Sequence, residues 1–221
     1  MIPPNDVVLE LHAFSPKCVL GQLTSLELAP FSLRLNKGDL AVLSAPTAAA
    51  RASLVSALSL MTAEYVGSYQ FCGSEVVSLS DAARARFRAE HIGVFSPEVP
   101  LIEDLTVSEN VEIPLRYAGI RAGLEQRISV ISDEFELSGV GGLYPNQLTE
   151  QQRLKVLLSR AYVAGPTLVI SVASSSAQFE EILRARERTH RTASAALLVL
   201  VPRELELGSS SIRVILSANG A

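Results

Sequence analysis

Cysteine, histidine and charge are all scarce in this chain. Its 221 residues include two cysteines and three histidines. Cys18 and Cys72 show neither metal-site nor redox spacing and build no disulfide framework, so a reducing compartment fits. His12, His91 and His190 are scattered, and no metal cluster or hydrolase triad can be read around them. Charged residues make up 19% of the chain and the net charge is −4, which excludes the basic footprint of a nucleic-acid binder. The longest uninterrupted apolar run is AALLVLV, Ala195 to Val201. A bilayer span takes about 20 such residues, so the chain is not expected to cross a membrane. The opening MIPPNDVVLELHAF has neither the basic flank nor the long apolar core of a signal peptide. Internal repeats and low-complexity linkers are also missing.

Apolar residues, by contrast, are plentiful, at 48%, and the mean hydropathy is +0.29. One large domain or two small ones fit this length. The hydropathy implies either parallel strands buried on both faces or a surface covered by a partner. Strand-like segments recur as VVLEL, FSLRL, DLAVLS, YQFCG, TLVISVA, ALLVLV and IRVILS. DLAVLS, TLVISVA and ALLVLV are continuous apolar runs, as expected of strands buried on both faces. The first and last groups alternate or turn early, which predicts antiparallel edges. Helical patterns fill the gaps: PTAAARASLVSALSLM, SDAARARFRAEH, GLEQRISVISDEFEL, TEQQRLKVLLSRAYV and AQFEEILRARERTHR, the last a solvated helix with its charges outward. VASSSAQ and LGSSSI are short loops. The order is an α/β core with a helical insertion over about residues 98–160.

Within that order, LAVLSAPTAAARASLVSAL, residues 40–58, draws the outline of a phosphate-binding loop: strand, small-residue turn, helix. The residues that hold phosphate in such a loop are not there. TAAARASLVSAL is a strong helix former with Thr47 as N-cap. The helix is therefore expected to begin early and to fill part of the space a phosphate would take.

The text around this segment is similar to a known family. SLSDAARARFRAEHIGV, residues 78–94, LIEDLTVSENVEIPLRYAGI, residues 101–120, and NQLTEQQRLKVLLSRAYVAGPTLVIS, residues 146–171, resemble the ATP-binding subunits of ABC transporters. The likeness is to the lipoprotein-releasing and macrolide-exporter type. The resemblance runs in register over nearly the whole chain. It implies a single domain over 1–221, with a P-loop NTPase core, an antiparallel β subdomain and the helical insertion as a subdomain.

The resemblance also assigns positions. Residues 45–52 take the Walker A place, with Ala45 and Ala50 where the glycines turn backbone N–H groups toward phosphate. A left-handed backbone there costs a non-glycine residue roughly 1–2 kcal/mol. Arg51 stands at the lysine position, larger and forked where a compact ammonium is needed, and Ala52 at the magnesium-binding hydroxyl. Ser53 follows one place late, about 100° around the helix. Pro97 takes the place of the glutamine that senses the γ-phosphate. Val172 and Ala173 replace the Walker B carboxylates that hold metal and attacking water, and Val201 the switch histidine. The D-loop aspartate position falls near Phe179, and Phe14 lies near the adenine-stacking aromatic position. The signature motif LSGGQ reads Leu148, Thr149, Glu150, Gln151, Gln152. Thr149 keeps a hydroxyl, but Glu150 sets a negative charge against phosphate, a repulsion on the order of 4 kcal/mol at 4 Å and an effective dielectric of 20.

Three functional readings follow. In the first, the chain is a pseudo-ATPase with no cofactor. It docks on a membrane permease from the cytoplasmic side of the membrane, through a groove near Pro97, Glu98, Leu101 and Leu105. A homologous ATP-binding subunit or a second copy of the chain would be a further partner. In the second, it is the weak or conditional ATPase of an asymmetric transporter, working with ATP, magnesium and Arg51. In the third, it is a soluble interaction module derived from such an ATPase.

Overall fold

The computed structural model describes residues 6–17, 28–97, 99–189, 194–203 and 205, and the strand 212–215. Cys18, Glu98 and His190 lie outside the described residues. Two sheets organise the chain. The first is antiparallel, in the order β2-β1-β4-β5, from β1 (Val7–Pro16), β2 (Phe31–Asn36), β4 (Tyr65–Phe71) and the short β5 (Ser74–Glu75). The second is parallel, in the order β6-β7-β8-β3-β9. It is built from β3 (Leu40–Ala45), β6 (Ile92–Phe95), β7 (Leu168–Val172), β8 (Ala196–Pro202) and β9 (Ile212–Ile215). The three continuous apolar runs are its interior strands, as expected. The segment IRVILS departs from expectation: it pairs parallel to β3. It is an edge of the core sheet rather than an antiparallel edge strand, because its partner is the parallel-sheet strand β3 and not a hairpin neighbour.

Alternation along the buried strands divides the core into two layers. Ala41, Leu43, Leu168, Ile170, Leu198 and Leu200 face the layer formed by α1 (Ala48–Leu58) and the antiparallel sheet. Val42, Val169, Leu197 and Val199 face α3 (Val107–Tyr117), α5 (Glu150–Tyr162) and α6 (Ser176–Thr189). The remaining α-helices are α2 (Asp81–His91), capped by the Ser80 hydroxyl, and α4 (Leu124–Glu134). Between β6 and β7 the chain therefore runs through α3, α4 and α5.

One contact fixes how α5 lies on the sheet. A Cβ built on Gly93 in β6 would stand 1.9 Å from the Ala161 carbonyl oxygen and 2.9 Å from its carbon. The α5 backbone rests directly on the strand, and only glycine leaves room. Close by, His91 ends α2 between the rings of Phe71 and Phe87, with Nδ1 3.3 Å from the Thr167 hydroxyl.

Two outcomes are expected from these contacts. Gly93→Ala loses about 1–3 kcal/mol of stability through overpacking, measured by urea denaturation. His91 has its pKa lowered by burial, an effect that the Glu90 carboxylate opposes. The unfolded chain, with an ordinary value near 6.5, then binds more protons than the native one. Stability should fall as pH drops through that value and level off once the native imidazole is charged. His91→Gln should remove this component of the pH profile.

Candidate functional site

In a parallel α/β sheet, ligands meet the protein beyond the carboxyl ends of the strands. The register brings four of the sequence-assigned residues to that end. Ser44 sits opposite Val201, Ala45 opposite Pro202, and Val172 opposite Leu200. The Ala173 N–H donates to the Leu200 carbonyl at 2.9 Å. Ala45, Val172, Ala173 and Val201 are all buried, all but Val172 with no exposed surface. Their side chains belong to the core: Ala45 and Val172 to the α1 layer, Ala173 and Val201 to the layer of α3, α5 and α6. The polar side chains beside them are serines. Ser44 Oγ lies 3.3 Å from the Pro202 carbonyl, and Ser171 Oγ is buried without a hydrogen-bond partner among the described residues. No three His, Cys, Asp or Glu residues come together to hold a metal ion among the described residues.

The turn from β3 into α1 is short. Only Pro46 and Thr47 separate strand from helix, so the early helix start read from the composition is present. Thr47 is extended and its hydroxyl accepts from the Ala50 N–H at 3.1 Å. None of residues 45–52 has a positive φ, so the turn avoids the left-handed conformation that glycines would provide. Ala50 is buried and Ala52 exposed. The Arg51 guanidinium folds back, its Nη1 donating to the Ala45 carbonyl at 3.2 Å. This side chain spans the turn from the first coil of α1 to the last residue of β3. A cation at a helix N-terminus opposes the macrodipole, so hydrogen bonding and packing hold it there.

The segment Leu148–Gln152 opens α5. The Thr149 hydroxyl accepts from the Gln152 N–H at 3.2 Å, and Gln152 Oε1 accepts from the Thr149 N–H at 2.9 Å. This reciprocal capping box already engages the hydroxyl that the sequence offered for phosphate. Leu148 packs against the core, while Glu150 and Gln151 are exposed. Glu150 suits the positive end of α5 and repels an anion there. Pro97 shares a cavity of about 710 Å³ with Glu150, Gln151, Gln178 and Glu181. The structure thus joins position 97 to the start of α5, but this cavity is not lined by the residues of the β3–α1 turn. Phe179 is a core residue of α6. Phe14 is fully buried, with ring centroids 5.7 Å from Phe31 and 5.8 Å from Tyr69. Both aromatic positions serve packing.

The residues expected at a docking surface divide, and Pro97 is exposed. The Leu101 side chain is buried in the core, and Leu105 is half-buried. Among their neighbours, Val99 and Ile102 are each 48% exposed, and Tyr117 is 79% exposed. They edge a groove of about 840 Å³ between α2, α3 and α5, with Ile92, Val94 and Pro166 among its lining. The polarity of each residue type was legible, but a single-residue offset along an irregular loop is not set by periodicity. Asn110 was also missed. It is fully buried, its Oδ1 accepts from the Ile102 N–H at 2.9 Å, and its Nδ2 donates to the carbonyls of Ile102 and Leu105, each at 3.0 Å. A polar residue on the apolar stripe of α3 was the available signal.

Comparison with known proteins now has a geometry to stand on. No protein-family model matches the chain. It is 27% identical over 216 residues to the macrolide export ATP-binding/permease protein MacB of Bradyrhizobium diazoefficiens, covering 96% of this chain and 33% of that protein. The bacitracin export ATP-binding protein BceA of Halalkalibacterium halodurans is 26% identical over 140 residues, covering 63% of this chain and 55% of that protein. Among solved structures, the ATP-binding cassette MJ0796, in a dimeric post-hydrolysis state bound to ADP and Pi, superposes with a TM-score of 0.73 at 20% identity, covering 87% of each chain. The fold is that of an ABC ATP-binding cassette. Its sequence relatives are ABC ATP-binding proteins, and the chain spans about one third of the length of the macrolide exporter it matches.

Asn110→Ala is expected to strand the Ile102 N–H and release the 102–105 loop, at about 1–3 kcal/mol. Hydrogen exchange should show that amide and its neighbours exchanging faster while β7 and β8 stay protected.

Proposed function

We propose that the chain is a catalytically inert cassette that works as a structural or regulatory subunit on a membrane permease, from the cytoplasmic face. One observation carries this reading. The carboxyl ends of β3, β7 and β8 present buried Ala45, Val172, Ala173 and Val201, where phosphoryl transfer needs carboxylates and a polarising base. Magnesium requires oxygen ligands, commonly one or two carboxylates with phosphate oxygens. The β3–α1 turn keeps its Ala50 N–H on Thr47 and is spanned by Arg51. These residues do not fit a magnesium–nucleotide phosphate group. Pro97, Ala52 and the Glu150 carboxylate continue the same pattern. ATP and magnesium are therefore not cofactors in this reading, and no step of chemistry is assigned to the chain.

The partner follows from the relatives, whose names pair ATP-binding with permease functions in one protein. A homologous ATP-binding subunit or a second copy of this chain completes the assembly, as the dimeric cassette suggests. No helix of the described residues is long and apolar enough to cross a membrane.

Two measurements test the reading. Ligand at a hundred times its dissociation constant stabilises a protein by about 2.7 kcal/mol, which raises the melting temperature by several degrees at this size. Millimolar magnesium-ATP should leave the melting temperature unchanged. Affinity purification from gently solubilised membranes should recover a permease. A saturable ATP-dependent rise, together with turnover lost in Arg51→Ala, would overturn inertness. Recovery of no membrane protein would overturn the permease assignment.

A further inference from the structure

Two side chains at the carboxyl end of the core sheet carry charges that meet no opposite charge among the described residues. Arg51 lies in the first turn of α1, which follows directly on β3. Glu150 is the first residue of α5. That helix begins beside the end of β6, since Glu150 shares a cavity with Phe95 and Pro97. It then runs back along the strand and brings Ala161 onto Gly93. Neither Arg51 nor Glu150 forms an ion pair among the described residues. The half-buried Arg51 donates to the Ala45 carbonyl, a neutral partner. It also stands at the positive end of α1, where a cation is unfavourable. Glu150 is exposed. The chain thus holds a poorly placed cation and an open anion on the same edge of one sheet.

We propose that a second copy of this chain docks across this edge without nucleotide, Arg51 of each copy pairing with Glu150 of the other. The inference rests on the second-copy partner of the reading above and names the contacts that hold it. In the order β6-β7-β8-β3-β9, β3 and β6 are three spacings apart, roughly 14 Å. The cation therefore sits towards one end of the row and the anion at the other. A two-fold axis that crosses the line between them at its midpoint exchanges the two positions. Such an interface is self-complementary, so the pair forms twice. Arg–carboxylate pairs are directional and can be bidentate, so they fix orientation as well as charge. Thr47, Ala48 and Ala52 beside Arg51 are small and exposed, which leaves room for another chain to approach. A register that set Arg51 on Arg51, or Glu150 on Glu150, would be repelled. The pairing gives Arg51 the counter-charge that its own helix end withholds.

The test is sedimentation velocity on the full chain in nucleotide-free buffer, which should show a dimer. Arg51→Glu and Glu150→Arg should each weaken self-association at least about tenfold, because like charges then meet at both contacts. Mixed together, the two variants should associate with each other, since each carries the charge that the other's reversal needs. The double variant, Arg51→Glu with Glu150→Arg, should recover self-association. Rescue in the mixture separates charge pairing from misfolding, because an unfolded variant would not be restored by a second one. A chain that stays monomeric overturns the inference. So do single variants that dimerise as well as the parent, and a mixture of variants that stays monomeric. Dimerisation that appears only with magnesium-ATP overturns this inference and catalytic inertness together. Charge-swap rescue without permease recovery sinks the permease reading alone. Permease recovery with a monomeric chain sinks this inference alone.

Discussion

Burial of the core sheet on both faces is the constraint on which the rest of the structure depends. β3, β7 and β8 have neighbours on either side and a packed layer above and below. Most apolar side chains at their carboxyl ends therefore enter one of two apolar layers. Ala45 and Val172 enter the layer with α1, and Ala173 and Val201 the layer with α3, α5 and α6. A carboxylate at either β7 position would be buried, a state that costs several kcal/mol unless a cation or metal compensates. Stability and phosphate chemistry thus make opposed demands on the same few positions, and the residues present meet the first.

The β3–α1 turn shows the same preference locally. A phosphate loop directs backbone N–H groups outward and leaves them for the ligand. Here Thr47 takes the Ala50 N–H, Arg51 reaches back to the Ala45 carbonyl, and no left-handed residue is needed. The start of α5 is closed in the same manner by the Thr149–Gln152 box. Two helix N-termini that could face anions have their own side chains as caps, so both are ordered without a ligand.

The surface near position 97 is organised differently. The contact of Gly93 with Ala161 sets α5 on β6, which places Arg160 over the carbonyls of residues 99 and 100. On its far side α5 is tied down by ions: Lys155 pairs with Glu136, and Glu136 is also 3.4 Å from Arg188 on α6. Asn110 holds the loop after Leu101 against α3. These contacts make the groove a preformed feature of a rigid frame.

The sequence by itself determined the class of fold. The continuous apolar runs at residues 40–45, 168–172 and 196–201 had to be interior strands, and the alanine-rich run after Thr47 had to be helix, because periodicity and propensity are local properties. Residue identities at positions 45, 51, 172, 173 and 201 were equally legible. Three matters were decided only in the tertiary structure. β9 joined the core sheet in parallel because β3 offered an open edge that no local pattern encodes. Leu101 turned inward while Val99 and Ile102 stayed out, because the path of an irregular loop depends on what Asn110 bonds. The carbonyl partners of Arg88 and Arg160 emerged only when folding brought residues 60, 99 and 100 within their reach.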